Sequence, residues 1–169
     1  MKNDKRRYDI KLFDLEEGHN RFRYRLDQSF FDAFGPMEFE DAQMDMDLDI
    51  TKRGHLMEVE IKGKGSVQLP DDRTGEPYRQ PLEGSLSFVL KYGHEYNDDN
   101  IDMITIPYQT PTFNMAQSMY ELTLLSIPMK RLDPARAGQT DEGEREEPAE
   151  QPIDPRWEKL KQLKNNKTE

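Results

Sequence analysis

Three arginines set two residues apart, Arg21, Arg23 and Arg25, are the first residues whose type and spacing suggest chemistry. Alternate positions on a strand share a face, so the three guanidiniums form a positive stripe. Arginine's planar fork suits bidentate contact with phosphate. It suits equally a cross-strand pair with acids on a neighbouring strand. Both readings are open. A second row, Asp45, Asp47 and Asp49, resembles a carboxylate cluster for a metal. On a strand, however, these acids stand roughly 7 Å apart. They alternate with Met44, Met46, Leu48 and Ile50. A solvated sheet face opposite Lys52, Lys62 or Lys64 is the better reading.

Other chemistry fares worse. His19, His55 and His94 have no partner at triad or metal-ligand spacing. Tyr96, Asn97, Asp98, Asp99, Asn100 and Asp102 resemble part of a calcium loop, but lack the central Gly and distal Glu of an EF-hand. There is no Gly-rich phosphate loop. The chain has no cysteine, which excludes disulfides, thiolate zinc sites, iron–sulfur clusters and cysteine nucleophiles. No catalytic residue, metal or cofactor is expected.

The last chemistry-bearing group lies near the C-terminus. Asp154 can cap a helix that begins at Pro155. Trp157, Leu160 and Leu163 then form one apolar stripe, with Arg156 beside it and Lys159, Lys161 and Lys164 off it. Such a helix docks in a partner's groove or folds back on its own domain. Both remain open.

The 169 residues that must position these groups allow one ordinary domain and more. Hydrophobic residues are 34% and charged residues 34%, so part of the chain lies outside any core. Thirty-four acids against 24 bases give a formal charge of −10. That disfavours free-standing electrostatic binding to nucleic acid. No apolar run approaches the roughly 20 residues of a membrane span. The opening MKNDKRRYDI has no apolar stretch behind its basic residues and is not read as a secretory signal. A cytoplasmic location is expected.

The elements follow from periodicity. Tyr8 to Leu15 reads as a strand with Tyr8, Ile10 and Leu12 on one face. Phe22, Tyr24 and Leu26 oppose the Arg row on the next. Asp27 caps a short helix carrying Phe30, Phe31 and Phe34, ended by Gly35-Pro36. A long hairpin follows: Met44 to Ile50, a turn at Arg53-Gly54, then Met57, Val59 and Ile61 alternating with charge. Gly63 and Gly65 suggest a bulge or bend. Pro70 to Pro77, PDDRTGEP, is loop chemistry. Leu82, Leu86, Phe88 and Leu90 share a strand face, with Gly84 in register. Tyr92 to Asn100 reads as an exposed loop, and Ile101 to Ile106 as a short strand. A long helix runs from Thr112 or Asn114 to Ile127. Met115, Met119, Leu122 and Ile127 form its stripe, widened by Ala116, Tyr120, Leu124 and Leu125. Pro128 ends it.

The expected fold is therefore α+β: a mainly antiparallel β-sheet, curled or barrel-like, with one short and one long packed helix. Residues 1–132 form the β-rich core. Residues 133–152, with six acids between Asp141 and Glu150, read as a disordered acidic linker. Residues 153–169 form the short amphipathic C-terminal helix.

The order of these segments resembles the YceD family of large ribosomal RNA subunit accumulation proteins, in its Bacteroidetes-type branch. The resemblance runs from the opening strands and FFDAF (Phe30–Phe34) through VQLPDDRTGEP (Val67–Pro77) and LKYGHEY (Leu90–Tyr96). It ends in NMAQSMYELTLLSIPMKRLDP (Asn114–Pro134) and DPRWEKLKQL (Asp154–Leu163). Many members carry a Cys-x-x-Cys pair in the loop. Here the matching positions are Asp71 and Thr74, with Asp72 and Arg73 between them, so a thiolate metal site is absent. Either any metal in relatives is dispensable, or turn geometry, held here by Gly75, Pro70 and Pro77, is what is kept.

The resemblance implies a bacterial, non-enzymatic role in large-subunit ribosomal RNA accumulation and ribosome assembly. In many bacteria the family's gene neighbours that of a small zinc-ribbon protein of the large subunit. The partner would be the large ribosomal subunit precursor, through ribosomal RNA, a basic ribosomal protein, or both. The alternative is an escort of a basic ribosomal protein with no RNA contact. A nuclease acting through the Asp rows is the weakest reading. In the first picture Arg21, Arg23, Arg25 and Arg73 touch phosphate. The acidic linker shields a basic partner, and Arg156, Trp157, Leu160 and Leu163 give a second attachment point. No membrane or DNA contact is expected, and the chain is expected to be a monomer.

Overall fold

The structure, a computed structural model, describes residues 5–100 and 102–136. Among them the chain forms β1 (Asp9–Lys11), β2 (Gly18–Asp27), α1 (Gln28–Asp32), β3 (Glu40–Arg53), β4 (Leu56–Pro70), β5 (Pro77–Gly93), β6 (Asn97–Asn100), β7 (Met103–Pro107), β8 (Thr112–Asn114) and α2 (Ala116–Ser126). Three-residue and four-residue 3-10 turns occupy Lys5–Tyr8, Leu12–Asp14 and Pro134–Arg136. Of the expected acidic linker, 133–152, only residues 133–136 are described; the rest of it and the expected C-terminal helix lie outside the described residues.

Strict alternation over 14, 15 and 17 residues builds β3, β4 and β5. The six-stranded sheet has the order β2-β3-β4-β5-β7-β6. All its pairs are antiparallel except β5 with β7. The sheet is open, with β2 and β6 at its two edges, and does not close into a barrel. The fold is α+β with a mixed, mostly antiparallel sheet.

One face of this sheet is apolar across its width. Leu26, Met44, Met46, Leu48, Ile50, Met57, Val59, Ile61, Val67, Leu69, Leu82, Phe88, Leu90 and Ile106 are buried there. The helices α1 and α2 and the small β1–β8 ribbon pack against the same core. Asp27 caps α1 by accepting from the Phe30 N–H at 3.3 Å. Phe34 then stacks on Tyr120 of α2, centroids 4.3 Å apart. The other face of the sheet carries the charged rows.

Several expectations need correction. Tyr8 to Leu15 is a three-residue strand between 3-10 turns, because its partner β8 is equally short. Tyr8, Ile10 and Leu12 are nonetheless buried. The long helix starts at Ala116, because β1 recruits Thr112–Asn114 into pairing and the Asn114 side chain accepts the Ala116 N–H at 3.0 Å. Its Leu124 and Leu125 point outward, 37% and 77% exposed. Asn97–Asn100 is an edge strand rather than loop, held by its pairing to β7.

Gly63 and Gly65 do not bend the chain; β4 runs through both. They and Gly84 keep space clear instead. Gly63 pairs with Gly84, and a Cβ on Gly63 would sit 2.9 Å from Met46 Sδ and 3.3 Å from Leu122. At Gly84 it would collide with Ser126. Two adjacent glycines thus form the floor on which α2 rests. The irregularity in this hairpin lies on β3, between Glu40 and Gln43, where Asp41 takes φ 47°. Asp tolerates that left-handed conformation better than most residues, and the Asp41 carboxylate pairs with Arg79.

Candidate functional site

The two rows singled out by spacing prove to face each other. The β2–β3 register sets Arg21 opposite Asp49, Arg23 opposite Asp47 and Arg25 opposite Asp45. Each Nε donates to its carboxylate, at 2.8, 2.7 and 2.9 Å. On the other side the β3–β4 register sets Lys62 opposite Asp47 and Lys64 opposite Asp45, as expected, but the lysines bond elsewhere. Lys52 donates to the Leu15 carbonyl at 2.9 Å, Lys62 pairs with Glu60, and Lys64 with Glu83. The result is a three-rung ladder on the solvent face. Its arginine side chains are 80–88% exposed. The Arg21 hydrogen bond holds the Asp49 carboxyl below the usual carboxylate range, against partial desolvation; His19 adds to the effect.

His19 Nδ1 lies 3.3 Å from Asp49 and 3.1 Å from Thr51 Oγ1. His55 is exposed, and His94 packs edge-on against Tyr108 at 5.7 Å. Among the described residues no group of three or more His, Cys, Asp or Glu could hold a metal. The acids near the former calcium motif bind locally: Tyr96 donates to Asp98 at 3.2 Å, and Asn97 to Asp99 at 2.9 Å.

Arg73 sits in the β4–β5 loop with Nε 3.8 Å from Asp71. Asp71 is the organising residue there, 3% exposed. Its carboxylate accepts N–H groups from Arg73 at 2.8 Å, Thr74 at 3.1 Å and Asp133 at 2.7 Å. These bonds, that of Asp133 first, hold its pKa down to about 2, with the Arg73 charge assisting and desolvation opposing. Asp72 completes a clasp. Its N–H donates to the Arg131 carbonyl and its carboxylate accepts the Arg131 N–H, both at 2.8 Å. Gly75, at φ 72°, turns the loop. Arg131 also pairs with Glu38 at 2.6 Å. Sequence reasoning saw a turn here and missed the clasp, whose halves lie about 60 positions apart.

The remaining site residues, Arg156, Trp157, Leu160 and Leu163, lie outside the described residues. Arg21, Arg23 and Arg25 share one strand, and Arg73 belongs to the separate clasped loop.

The model of the family described as large ribosomal RNA subunit accumulation protein YceD matches residues 59–164. The chain belongs to the YceD family. No curated protein matches it, and no solved structure does. The match starts in β4. It includes the clasp, the β6 edge and α2, and extends to residue 164. The opening strands, FFDAF and the Arg–Asp ladder precede it, so the family resemblance covers less of the chain than its segment order suggested. Among the described residues no helix is long and apolar enough to cross a membrane. Membership assigns the coarse role, accumulation of large-subunit ribosomal RNA.

Proposed function

We propose that this chain supports large-subunit ribosomal RNA accumulation without catalysis, by binding a basic ribosomal protein on the large-subunit precursor. It acts as a monomer in the bacterial cytoplasm. The observation that carries this reading is charge placement. Acids outnumber bases by ten, and each arginine of the β2 stripe already has an aspartate partner. RNA affinity comes largely from neutralising phosphates. A guanidinium paired with a carboxylate brings no net positive charge to that task. An acidic surface suits a basic protein and steers it by charge.

Direct RNA contact is the second reading, and one observation favours it. The ladder arginines donate to aspartate through Nε and remain exposed. Their Nη groups, at a pitch of roughly 7 Å, are placed to add a phosphate contact; Arg73 would join them. In either reading Arg156, Trp157, Leu160 and Leu163 provide a second attachment point, and the acidic linker covers a basic partner.

A tagged pull-down from growing cells after mild crosslinking, across a salt series, separates the readings. The expected result is enrichment of one basic ribosomal protein, with RNA recovered only where that protein is. RNA precursors recovered alone, and released steeply with salt, would replace it with direct contact. Truncating Trp157, Leu160 and Leu163 to Ala should leave the fold intact and abolish association with pre-ribosomal particles. Unchanged co-sedimentation would remove the tail from the mechanism.

A further inference from the structure

The far edge of the sheet combines three properties, of which the ladder's strand β2 shares only the first. First, β6 pairs with β7 on one side and is the end strand on the other. Its four residues are all exposed. An end strand offers backbone donors and acceptors to an added strand. Second, two tyrosines near it are open: Tyr96 directly precedes it, and Tyr108 follows β7 with its N–H donating to the Gly93 carbonyl of β5. Tyr96 is 57% exposed and Tyr108 54%. Tyr108 is held nearly parallel to Tyr92 at 6.2 Å, with the His94 ring against it. It is therefore a fixed aromatic surface. Third, the charges carried on or next to β6 are acidic: Glu95, Asp98 and Asp99. Asp102 stands at the turn into β7, its carbonyl accepting the Val89 N–H of β5, and Lys91 lies two strands inward. Asp102 also lines a hollow of about 450 Å³ on the outer sheet face, together with Glu58, Glu60 and Asp49. Those three face acids pair with Arg53, Lys62 and Arg21, so the net negative charge is concentrated at the edge.

We propose that the β6 edge receives an extended Arg/Lys-rich segment of a ribosomal protein, adding it as a strand whose cations meet the Tyr96 and Tyr108 rings and the flanking carboxylates. This rests on the protein-partner reading above and names where that partner docks. Charge complementarity selects the occupant. Short, charged edge strands ordinarily prevent promiscuous pairing. Here the guarding charges are acidic, so they repel RNA and other copies of this chain and admit a basic strand. Tyrosine rings add cation–π attraction for Arg and Lys. The backbone supplies affinity and the alternating side chains supply selection.

The test uses the full chain and a short peptide alternating Lys or Arg with Val or Thr. Its controls are a counterpart with Glu for each cation, one N-methylated on alternate residues, and a uridine-rich single-stranded RNA. Backbone NMR should place the basic peptide's perturbations at residues 95–102, Tyr108 and β7. The Glu peptide should not bind, and N-methylation along the pairing edge should weaken binding. Two exposed-site variants, Tyr96→Ala with Tyr108→Ala, and Asp98→Asn with Asp99→Asn, should each keep the wild-type fold. Each should bind about tenfold more weakly. Perturbations centred on the ladder, unchanged affinity in both variants, or preference for the RNA at this edge would overturn the proposal. The pull-down distinguishes the levels. If both variants still recover the basic ribosomal protein, the edge is the wrong site and the partner reading stands. If the wild-type chain recovers none, the partner reading falls and this proposal falls with it.

Discussion

The Arg–Asp ladder and the Asp71 clasp use the same side-chain chemistry to opposite ends. In the ladder, carboxylate and guanidinium meet in water, 63% and 88% exposed at the Asp47–Arg23 rung. Exposed pairs of this kind contribute little to stability, because solvent screens them and long side chains lose freedom in forming them. In the clasp a single carboxylate is withdrawn from water and receives three backbone N–H groups. Hydrogen bonds from fixed backbone donors to a charge are among the stronger ones. The more conspicuous cluster in sequence is therefore the weaker one in structure. The clasp also lies inside the span shared with the family, and the ladder lies before it.

The largest expected effect follows from removing Asp71. Asp71→Ala leaves three backbone donors without their acceptor and separates the loop from residues 131–133. The unfolding temperature should fall by roughly 5 °C or more. Hydrogen exchange at Arg73, Thr74 and Asp133 should quicken together. Asp71→Asn keeps one acceptor oxygen and should lie between. If Asp71→Ala matched a ladder variant in stability, the contrast between the two regions would disappear.

The second effect is acid dependence. The folded pKa of Asp71, about 2, lies below its ordinary value of 3.8. Its charged form is thus favoured by folding, and the contribution is fully present above the unfolded pKa. It fades as pH drops from about 4 toward about 2. Denaturant midpoints of wild type and Asp71→Asn should differ most above that window and converge below it. A constant difference across the window would mean that the carboxylate charge is not what the clasp uses.

Periodicity made much of this legible. The apolar face of the sheet, the Asp27 cap, the Arg53-Gly54 turn and both charged rows follow from local patterns of two or four residues. What escaped depends on partners distant in sequence. That the Arg row meets the Asp row needs the β2–β3 register, set across the α1 connection. Asp71 meets Asp133 only because β5 to α2 bring the chain back. Thr112–Asn114 are a strand because β1, about 100 positions earlier, pairs with them. Residues Asn97–Asn100 have low strand propensity and pair regardless, since β7 supplies a template. In sequence Gly63 reads as a bulge or bend and Gly84 only as a position in register on a strand face. Their use, clearance for α2, appears only when the helix is in place.

The smallest expected effect concerns the ladder itself, and it also separates the two functional readings. Arg23→Asp places like charges across the rung and should lower the unfolding temperature by about 2 °C. Adding Asp47→Arg restores an opposite-charge pair and should recover most of that drop, as the register requires. The swapped rung keeps the net charge while moving the cation from the edge strand β2 to β3. Converting Arg21, Arg23 and Arg25 together to Ala tests function. With a basic protein as partner, recovery of pre-ribosomal particles should hold or rise, because three repelling charges are gone. With phosphate as partner, recovery should fall and its salt dependence should flatten by about one unit of slope for each phosphate that is no longer neutralised. The ladder thus gives a small stability signal and a large functional one only if its guanidiniums serve RNA.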